Sequence, residues 1–465
     1  MIKEQDLENW RRTHYSFQIN SSQINQSIII MGWISSKRDH GNVLFIQIRD
    51  KFGDIQVVVK KKGENDSTNE IFEILKNLKE HSSIGIKGIV VEQKRSSNGV
   101  EVIPNEIKVL SVSNKSAPFL TQAVSTIGID TRLELRALDL RRNYLQNIFK
   151  IRFTILNSIR EFLTQNYFIE VNTPKMIATA TEGGAALFPI FYYDREAFLA
   201  QSPQLYKEQL TMAFENVFEI APIFRAEPSR TNRHLSEAIS IDVEKAFVNY
   251  NDIMNLLDEL ISFIISKISE KNQDELKNLD LELPDIKIPF PRYTYSELID
   301  KLHKSHKYIR WGDDISPKIL KDIIDDTFYY IVDWPLSIKP FYVKPKINNN
   351  VTILNNESFN SNEDGYERGN DNSKMVSESF DLMYGILELS SGSTRINNKN
   401  IILNQMKKKG LNPAAFDYHL RIFDYGIPPH AGFGLGLERL IMALLKVENI
   451  RDATLYPRDI DRLTP

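Results

Sequence analysis

Between residues 27 and 112, hydrophobic and polar residues alternate in five short runs. Three runs come first, SIIIMGWI, VLFIQIRD and DIQVVV, and two more, SIGIKGIVV and GVEVIPNEIKVLSV, close the region. Between the two groups, the apolar residues of 69–79 are spaced three and four apart. Alternation at period two predicts half-buried β-strands, and the wider spacing predicts an amphipathic helix. The pattern therefore predicts a small β domain of three strands, a helix and two strands.

That order is the order of an OB-type barrel, whose open face often binds single-stranded nucleic acid. Phe45 and Gln56 fall on the candidate face, and Lys37 and Arg38 precede the second strand. An aromatic ring, an amide and cations suit stacking on unpaired bases and reading of their edges. Periodicity alone, however, favours Phe45 as a core residue, so both interpretations stay open. We expect this domain to span residues 1–112.

The rest of the chain predicts a larger domain, 141–465, of mixed helices and strands. Residues 113–140 have polar linker composition followed by the arginine-rich DTRLELRALDLRR, and we expect a hinge there. A long amphipathic helix is predicted over 143–164. It is followed by the strand FIEV, which ends before Pro174 and fits an interior or a subunit interface equally well. Residues 346–374 contain nine asparagines and almost no apolar periodicity, which predicts a disordered insertion.

Residues 218–247 predict a long antiparallel hairpin with a cationic loop. Alternation along its first arm puts Arg225 and Glu227 on one face, and Arg233 and His234 lie in the loop. The planar guanidinium fork suits phosphate oxyanions, and a neighbouring carboxylate can accept a hydrogen bond from an exocyclic amine. An exposed, salt-bridged hairpin is the alternative interpretation.

The segment SFDLMYGILELSSGSTR predicts a second hairpin that turns at its Gly-Ile pair. A two-residue turn pairs Met383 with Glu388 and Asp381 with Ser390, which puts all four side chains on one face. Two converging carboxylates, Asp381 and Glu388, suit Mg²⁺ that carries nucleotide phosphates. Structural carboxylates on a hydrated sheet face are the alternative.

Near the end of the chain, HAGFGLGLER spaces Gly432, Gly434 and Gly436 at period two. One face of that strand is therefore bare, and a planar base can lie against it. Arg439 follows at the head of an apolar helix, where it can stack on the base or reach a phosphate. The segment is neither a dinucleotide fingerprint nor a P-loop, because no lysine follows the glycines. Simple close packing is the alternative.

Composition narrows the classes of function. The 465 residues are enough for two or three domains, and the formal net charge of −3 means that any nucleic acid must meet local patches. Cysteine is absent, which excludes disulfides, thiolate zinc sites and a cysteine nucleophile. The N-terminus lacks an apolar signal core, and no run approaches the roughly 18 apolar residues of a membrane span. We expect a cytoplasmic protein without a membrane partner.

Several motifs together resemble one known family. FRAEPSRTNRHLSE and GFGLGLERL resemble motifs 2 and 3 of class II aminoacyl-tRNA synthetases, and the helix, strand and Pro174 resemble motif 1 at the dimer interface. TATEGGAALFP, QSPQLYKEQ, SFDLMYGILELSSGSTR and PRDIDRLTP narrow the resemblance to aspartyl-tRNA synthetases (subclass b) of the archaeal and eukaryotic-cytosolic type. The resemblance covers nearly the whole chain except the asparagine-rich insertion.

The resemblance implies an α+β fold in a homodimer. Its parts are an N-terminal five-stranded OB-fold barrel that binds the anticodon, a short hinge, and a catalytic domain built on an antiparallel sheet flanked by helices. The implied reaction activates L-aspartate with ATP to aspartyl-adenylate and transfers the acyl group to the 3′ end of tRNA(Asp). Mg²⁺ is the implied cofactor, and ATP is a substrate.

The resemblance also implies roles for individual residues. Arg225 and Arg439 would act as catalytic groups on the phosphates, and Asp381 and Glu388 would hold the metal. The residues implied in ATP binding are Arg225, Glu227, Arg233, His234, Glu388 and Arg439. The residues implied in aspartate binding are Glu182, Ser202, Gln204, Lys207, Arg225, Ser391 and Arg395. Phe45 and Gln56 match positions that stack on and read the anticodon, which reverses the preference for a buried Phe45.

Selection against asparagine is expected to depend on charge, because asparagine and aspartate have nearly the same shape. A neutral amide beside Lys207 and Arg395 would leave two buried cations under-compensated, which costs roughly 3–5 kcal/mol when one partner of a buried pair is removed. Lys207 within QSPQLYK also argues against the nearest alternative, an asparaginyl-tRNA synthetase.

Two further alternatives conflict with the sequence. A paralogue that amidates aspartyl-adenylate without tRNA would lack the barrel predicted over 27–112. A tRNA-binding protein with a dead site would have lost the ATP residues, and these are present. Whether tRNA(Asn) is also charged stays open. In this family it depends on the anticodon domain, including the end of its first strand, where Ser35 lies.

Overall fold

A computed structural model describes residues 2–61, 68–94, 99–119, 127–178, 187–304, 309–313, 315, 317–321, 327–346 and 375–464. The chain forms two compact units, residues 1–127 and 128–465. Of the predicted features, Glu182 and nearly all of the asparagine-rich segment 346–374 lie outside the described residues.

The first unit is a closed barrel whose five strands follow the order β1-β2-β3-β5-β4. The strands are Ser27–Asp39 (β1), Val43–Arg49 (β2), Asp54–Lys60 (β3), Ser83–Glu92 (β4) and Val100–Ser111 (β5), and helix Thr68–Asn77 (α1) follows β3. Alternate side chains of β2, namely Leu44, Ile46 and Ile48, are buried in the barrel core, and Phe72 and Leu75 of α1 join them. The predicted order of three strands, a helix and two strands is confirmed.

The second unit is built on an eight-stranded sheet with helices packed on both faces. Its helices are Ile129–Glu134 (α2), Arg136–Asp139 (α3), Asn143–Gln165 (α4), Gln204–Phe214 (α5), Tyr250–Lys271 (α6), Gln273–Asn278 (α7), Tyr295–Lys304 (α8), Pro317–Leu320 (α9), Lys399–Lys408 (α10), Asp417–Leu420 (α11) and Leu437–Leu445 (α12). Its strands are Ile169–Glu170 (β6), Met176–Ile177 (β7), Pro189–Tyr192 (β8), Arg195–Leu199 (β9), Asn216–Phe224 (β10), Glu237–Ala246 (β11), Arg292–Thr294 (β12), Phe328–Val332 (β13), Ser379–Tyr384 (β14), Leu387–Thr394 (β15) and His430–Gly436 (β16).

The large sheet has the order β12-β13-β14-β15-β16-β11-β10-β6. Its inner pairs are antiparallel, whereas β12 with β13 and β6 with β10 are parallel. Strands β7, β9 and β8 form a separate small sheet. The apolar stripes of α4, α6 and α12 pack on one face of the large sheet in a single core cluster. On the opposite face, α8 packs against β13 and β14 in a second apolar cluster, and α5 packs against β10 and β11. The part of this face formed by β11, β15 and β16 carries polar side chains and is called the polar face.

The segment predicted as a hinge, 113–140, spans the boundary between the two units. Residues 128–140 belong to the second unit, because α3 is tied to the C-terminal part of the chain. The Arg136 guanidinium is fully buried and donates to Asp139 and to the carbonyl oxygens of Leu455 and Thr454. Among the described residues, no helix combines the length and the apolar character needed to cross a membrane.

Asp258 of α6 and Tyr330 of β13 form a buried acid–phenol pair. The Tyr330 hydroxyl donates to Asp258 Oδ1 at 2.7 Å, and the backbone N–H of Phe290 donates to Oδ2 at 3.3 Å. Burial raises the pKa of Asp258 from 3.8 to about 6 in spite of these bonds. Between pH 3.8 and about pH 6, the Asp258 carboxyl holds its proton more tightly in the folded protein than in the unfolded chain. The stabilisation that this proton gives is therefore present at low pH and is lost as pH rises through about 6.

We expect this group to remove roughly 2.5 kcal/mol of unfolding free energy as pH rises from about 4 to 7, with about half of the loss above pH 5. Asp258→Asn does not titrate. The unfolding free energy of the variant, relative to that of the unmodified protein, should therefore rise by that amount as pH rises from about 4 to 7. Urea unfolding at a series of pH values measures this difference. Asp274→Asn, on the exposed surface of α7, is the control. Its unfolding free energy should differ from that of the unmodified protein by the same amount at every pH. The same constant difference for Asp258→Asn would contradict the assignment.

Candidate active site

A cavity of about 470 Å³ opens on the polar face of the large sheet. Most of the residues predicted to bind ATP or aspartate line it: Ser202, Gln204, Arg225, Glu227, Arg233, His234, Glu388, Ser391, Arg395 and Arg439. Two other predicted residues, Lys207 and Asp381, stand behind the wall, and each contacts a residue that does line the cavity. The folding of the sheet thus brings together residues that are far apart in the sequence.

The glycine-rich strand β16 forms part of the cavity floor. Phe433 and Leu435 are buried against α4, α6 and α12. The opposite face is less empty than predicted. A Cβ on Gly432 would lie 2.3 Å from Glu244 Oε2, and a Cβ on Gly434 would lie 3.3 Å from Asp242 Oδ1. Gly432 and Gly434 therefore make room for the carboxylates of Glu244 and Asp242 on the neighbouring strand β11. Of the three glycines, Gly434 and Gly436 line the cavity.

A buried cluster of two cations and two carboxylates closes one end of the cavity. Lys207 Nζ lies 3.1 Å from Asp242 Oδ1 and 3.3 Å from Glu244 Oε2. The Arg395 guanidinium donates to both oxygens of Glu244, at 2.9 and 3.2 Å, and to Ser393 Oγ at 2.6 Å. Burial lowers the pKa of Arg395, but Glu244 outweighs this effect and raises it above its ordinary value. The arginine is thus a permanent donor.

Asp242 and Glu244 were missed by the sequence analysis. The available signal was a pair of acids at period two in the otherwise apolar strand ISIDVEKAF. Lys207 and Arg395 already have these two residues as carboxylate partners. The expected reason for the selection of aspartate over asparagine therefore changes. The expectation that a neutral amide would leave both cations under-compensated is therefore wrong in that form.

The number of N–H donors on Arg395 gives another reason for the selection of aspartate over asparagine. A guanidinium has five N–H donors, and three of them serve Glu244 and Ser393. Among the described residues, the second N–H of each terminal nitrogen has no partner, and a ligand can use it because Arg395 lines the cavity. Both oxygens of a carboxylate can accept from such a pair, whereas an asparagine amide would turn its own N–H₂ toward one of the donors. An unmade bond of this kind costs about 1–3 kcal/mol.

Lys207 has a different position from the one predicted. Its ammonium is buried and also donates to the Phe433 carbonyl oxygen at 3.2 Å. Its contacts with Asp242, Glu244 and Phe433 hold the carboxylates in place beneath the cavity. Direct contact of Lys207 with aspartate stays a prediction.

The hairpin of β14 and β15 turns at Gly385 and Ile386, as predicted, but its register differs. Asp381 pairs with Ser391, because Leu389 is an extra residue in a β-bulge. The predicted pair of Asp381 with Ser390 is therefore wrong. Ser390 is buried on the other face. The bulge has a consequence for the site, because it lets Glu388 and Ser391 face the cavity together.

The two predicted metal ligands differ in their availability. The Asp381 carboxylate is buried and accepts both hydrogen bonds of Lys339 Nζ, at 3.0 and 2.9 Å. Burial and the nearby Glu388 raise the pKa of Asp381 in spite of Lys339. Glu388 is half-exposed, and its nearest cation is Arg439 Nη1, 4.0 Å from Oε1. Across the described residues, no group of three or more His, Cys, Asp or Glu side chains could hold a metal.

The hairpin of β10 and β11 supplies the other end of the cavity. The backbone N–H of Arg225 donates to the Ser236 carbonyl oxygen, which continues the pairing just beyond β10. Arg439 donates from Nη1 to the Glu388 carbonyl oxygen at 3.0 Å. Desolvation and the positive charge of Arg439 lower the pKa of His234, so its imidazole is neutral near pH 7. The guanidinium groups of Arg225, Arg233 and Arg439 and a neutral imidazole thus line this end of the cavity.

The barrel presents the two predicted anticodon residues on its outer surface. Phe45 is half-buried outside the core cluster, with its ring 5.7 Å from that of His40. Gln56 donates to Glu101 Oε2 at 3.0 Å and accepts from Gln47 Nε2 at 3.2 Å. Lys37 differs from expectation, because its ammonium donates to the carbonyl oxygen of Lys76 at the end of α1. Ser35 is buried and donates to Asp54 Oδ1 at 2.7 Å.

Two family models match the chain. The model of tRNA synthetases class II (D, K and N) matches residues 128–460, and the model of the OB-fold nucleic acid binding domain matches residues 28–110. The first match spans more than half of the 465 residues. The chain therefore belongs to the class II tRNA synthetases, and the predicted fold class is confirmed.

Full-length relatives narrow this membership. The chain is 43% identical over 463 residues to the aspartate–tRNA(Asp/Asn) ligase of Methanococcus aeolicus, which covers 99% of each chain. It is 43% identical to the ligase of the same name from Methanocaldococcus jannaschii, which covers 98% of this chain and 99% of that one. The structure of asparaginyl-tRNA synthetase from Pyrococcus horikoshii with asparaginyl-adenylate has a TM-score of 0.84 at 30% identity and covers 98% of this chain and 100% of that one. Within the class, the chain belongs to the aspartyl-tRNA synthetases, which confirms the resemblance drawn from the motifs.

Proposed function

We propose that this protein is an aspartate–tRNA ligase, which activates L-aspartate with ATP and transfers it to the 3′ end of tRNA(Asp). The observation that carries the proposal is the donor end of the cavity, where Arg395 is fixed by Glu244 and Ser393 with N–H groups to spare. That end suits a ligand carboxylate. The aspartate-ligase names of the relatives that are 43% identical support the same substrate.

The proposed reaction needs positioning and charge neutralisation and no protein nucleophile. The α-carboxylate of aspartate attacks the α-phosphorus of ATP, and pyrophosphate leaves. Negative charge builds on the phosphoryl oxygens, and the guanidinium groups of Arg225 and Arg439 at the cavity wall can neutralise it. Glu227 can accept from the adenine amine, and Arg233 and His234 can hold the polyphosphate. The adenylate then passes its acyl group to the terminal ribose of tRNA.

Magnesium is part of the proposal, and Glu388 and Asp381 are the residues that would hold it. Glu388 offers a half-exposed carboxylate beside the Ser391 hydroxyl, and both line the cavity. Asp381 can join them only if Lys339 leaves its carboxylate. When bound, the metal would neutralise charge on the phosphates.

The proposal assigns tRNA recognition to the barrel, with Phe45 stacking on an anticodon base and Gln56 reading a base edge. In the free barrel, both ends of the Gln56 amide are occupied by Gln47 and Glu101. Gln56 would therefore exchange protein partners for a base, at little net cost in hydrogen bonds.

A homodimer is proposed from exposed apolar residues of α4, the edge strand β6 and the small sheet of β7, β8 and β9. Six large apolar or aromatic side chains in these elements and next to them are exposed to solvent: Phe153, Tyr167, Ile169, Met176, Phe191 and Tyr193. Phe191 is 96% exposed, which is unusual for a monomer surface. A second copy of this chain would cover the β6 edge and these side chains. We also propose a cytoplasmic location, since the proposed substrates are tRNAs that serve translation.

Charging of separate tRNA(Asp) and tRNA(Asn) transcripts tests the function. With aspartate as the amino acid, we expect acylation of tRNA(Asp), and the names of the relatives lead us to expect acylation of tRNA(Asn) at a comparable rate. With asparagine, we expect at least about a tenfold lower activation, from the donor clash at Arg395. Preferential activation of asparagine would contradict the aspartate assignment and favour the asparaginyl alternative.

A further inference from the structure

Three buried titratable side chains next to the cavity have no part in the proposed mechanism. They are Glu208 of α5, His419 of α11 and His430 at the start of β16, and all three are fully buried. Glu208 Oε2 lies 3.3 Å from His419 Nε2 and 3.7 Å from His430 Nε2. The other oxygen, Oε1, accepts a hydrogen bond from Gln204 Nε2 at 2.7 Å. This cluster is thus joined to the cavity, because Gln204 is part of the cavity wall.

The two histidines keep the glutamate ionised. Burial would raise the pKa of Glu208, but its contacts with His419 and His430 outweigh burial and lower the pKa well below its ordinary value. Burial lowers the pKa of His430, and Glu208 outweighs that effect and raises it. His430 Nδ1 must donate to the Pro428 carbonyl oxygen, 2.7 Å away, because a carbonyl can only accept. Its Nε2 is left facing the carboxylate.

An ionised Glu208 decides which end of the Gln204 amide faces the cavity. A carboxylate without a proton can only accept, so the N–H₂ group of Gln204 must turn toward it. The nitrogen and oxygen of an amide point apart, which leaves Oε1 on the cavity side. The backbone of Gln204 is fixed as well, because its N–H donates to Ser202 Oγ at 3.0 Å. Gln204 therefore offers an acceptor to a ligand, and the donor that aspartate brings is its α-ammonium.

We propose that Glu208, held between His419 and His430, is a positioning residue that presents the Gln204 carbonyl to the α-ammonium of aspartate. The inference rests on the proposed aspartate activation and adds a determinant of substrate affinity that never touches the substrate. Of the other charged groups, Arg395 acts on Glu208 and Glu244 acts on His430. Both belong to the cation–carboxylate cluster, so the buried charges at this end of the cavity form one connected set.

The test is a double-mutant cycle on aspartate-dependent exchange of pyrophosphate into ATP, with the full-length protein. Glu208→Gln replaces an obligate acceptor by an amide that can donate, so the Gln204 amide is free to turn over. We expect the KM for aspartate to rise about tenfold, which is the loss of one hydrogen bond to a charged group. The KM for ATP and kcat should change less than about twofold. Because Glu208 acts through Gln204, adding Glu208→Gln to Gln204→Ala should have no further effect.

Glu208→Asp provides a second route if Glu208→Gln does not fold. It keeps the charge between the two imidazoles but withdraws the oxygen from Gln204 by one methylene, so the KM for aspartate should rise at unchanged thermal stability. Glu275→Gln, which weakens an ion pair with Lys150 away from the cavity, is the matched control with normal kinetics. An unchanged aspartate KM in either folded Glu208 variant, or effects that multiply in the double variant, would overturn the inference. Absence of aspartate-dependent exchange in the unmodified protein would instead overturn the proposed function, and the inference with it.

Discussion

Replacing Arg395 with alanine is expected to lower kcat/KM for aspartate in pyrophosphate exchange by between about a hundredfold and a thousandfold. The substitution removes the N–H donors that face the cavity, and it also leaves the buried Glu244 with Lys207 as its remaining cation. Leaving the carboxylate of bound aspartate without its buried cation costs roughly 3–5 kcal/mol, which is the source of the expected magnitude. ATP affinity, measured by equilibrium binding without aspartate, should change less than about twofold, because Arg225 and Arg439 are untouched.

Arg395→Lys separates charge from geometry in the same assay. Lysine keeps the positive charge but has no planar fork, so it cannot serve both oxygens of Glu244 and Ser393 Oγ while keeping donors for a ligand. We therefore expect this variant to recover less than about a tenth of the loss. Arg421→Ala, which breaks an exposed pair with Asp417, is the control with normal exchange. Near-normal aspartate activation in Arg395→Ala would refute the aspartate-binding assignment.

Local periodicity predicted the parts of this fold that depend on neighbours in the sequence. The barrel order, the long hairpin of β10 and β11 and the glycine strand β16 all follow from side-chain alternation over a few residues. The assignment of Arg225, Glu388 and Arg439 to one site came instead from the resemblance of their motifs to those of class II aminoacyl-tRNA synthetases. Their grouping around one cavity agrees with that assignment.

The alternation of side chains along one strand does not predict which distant strands come into contact. Asp242 and Glu244 lie over glycines of β16, and the sequence does not reveal which strand pairs with β11 or in which register. The bulge at Leu389 is equally invisible, because one extra residue reverses every later side chain without breaking the alternation of either half. Lys339 and Glu208 were missed because their partners, Asp381 and the two histidines, come from other elements.

The arginine-rich stretch DTRLELRALDLRR overlaps the hinge that is predicted over 113–140 from polar linker composition. In the structure, Arg132, Arg136 and Arg142 converge on Asp139, whose side chain is fully buried. Asp452 from the C-terminal part of the chain joins them, 3.0 Å from Arg132 Nη1. The stretch is therefore a buried ion network at the base of the second unit.

We accordingly expect Asp139→Asn to lower the unfolding free energy of the second unit by roughly 3–5 kcal/mol, because it leaves three guanidinium groups with Asp452 as their only carboxylate in the described network. For a unit of this size, the thermal transition should fall by roughly 4–7 °C, as measured by calorimetry of the full chain. The transition of the barrel should stay in place. Asp424→Asn, which breaks an exposed pair with Lys399, should cost less than about 1 kcal/mol. If Asp139→Asn were as mild as this control, the network would contribute nothing to stability and the segment would behave as the flexible hinge that its composition suggested.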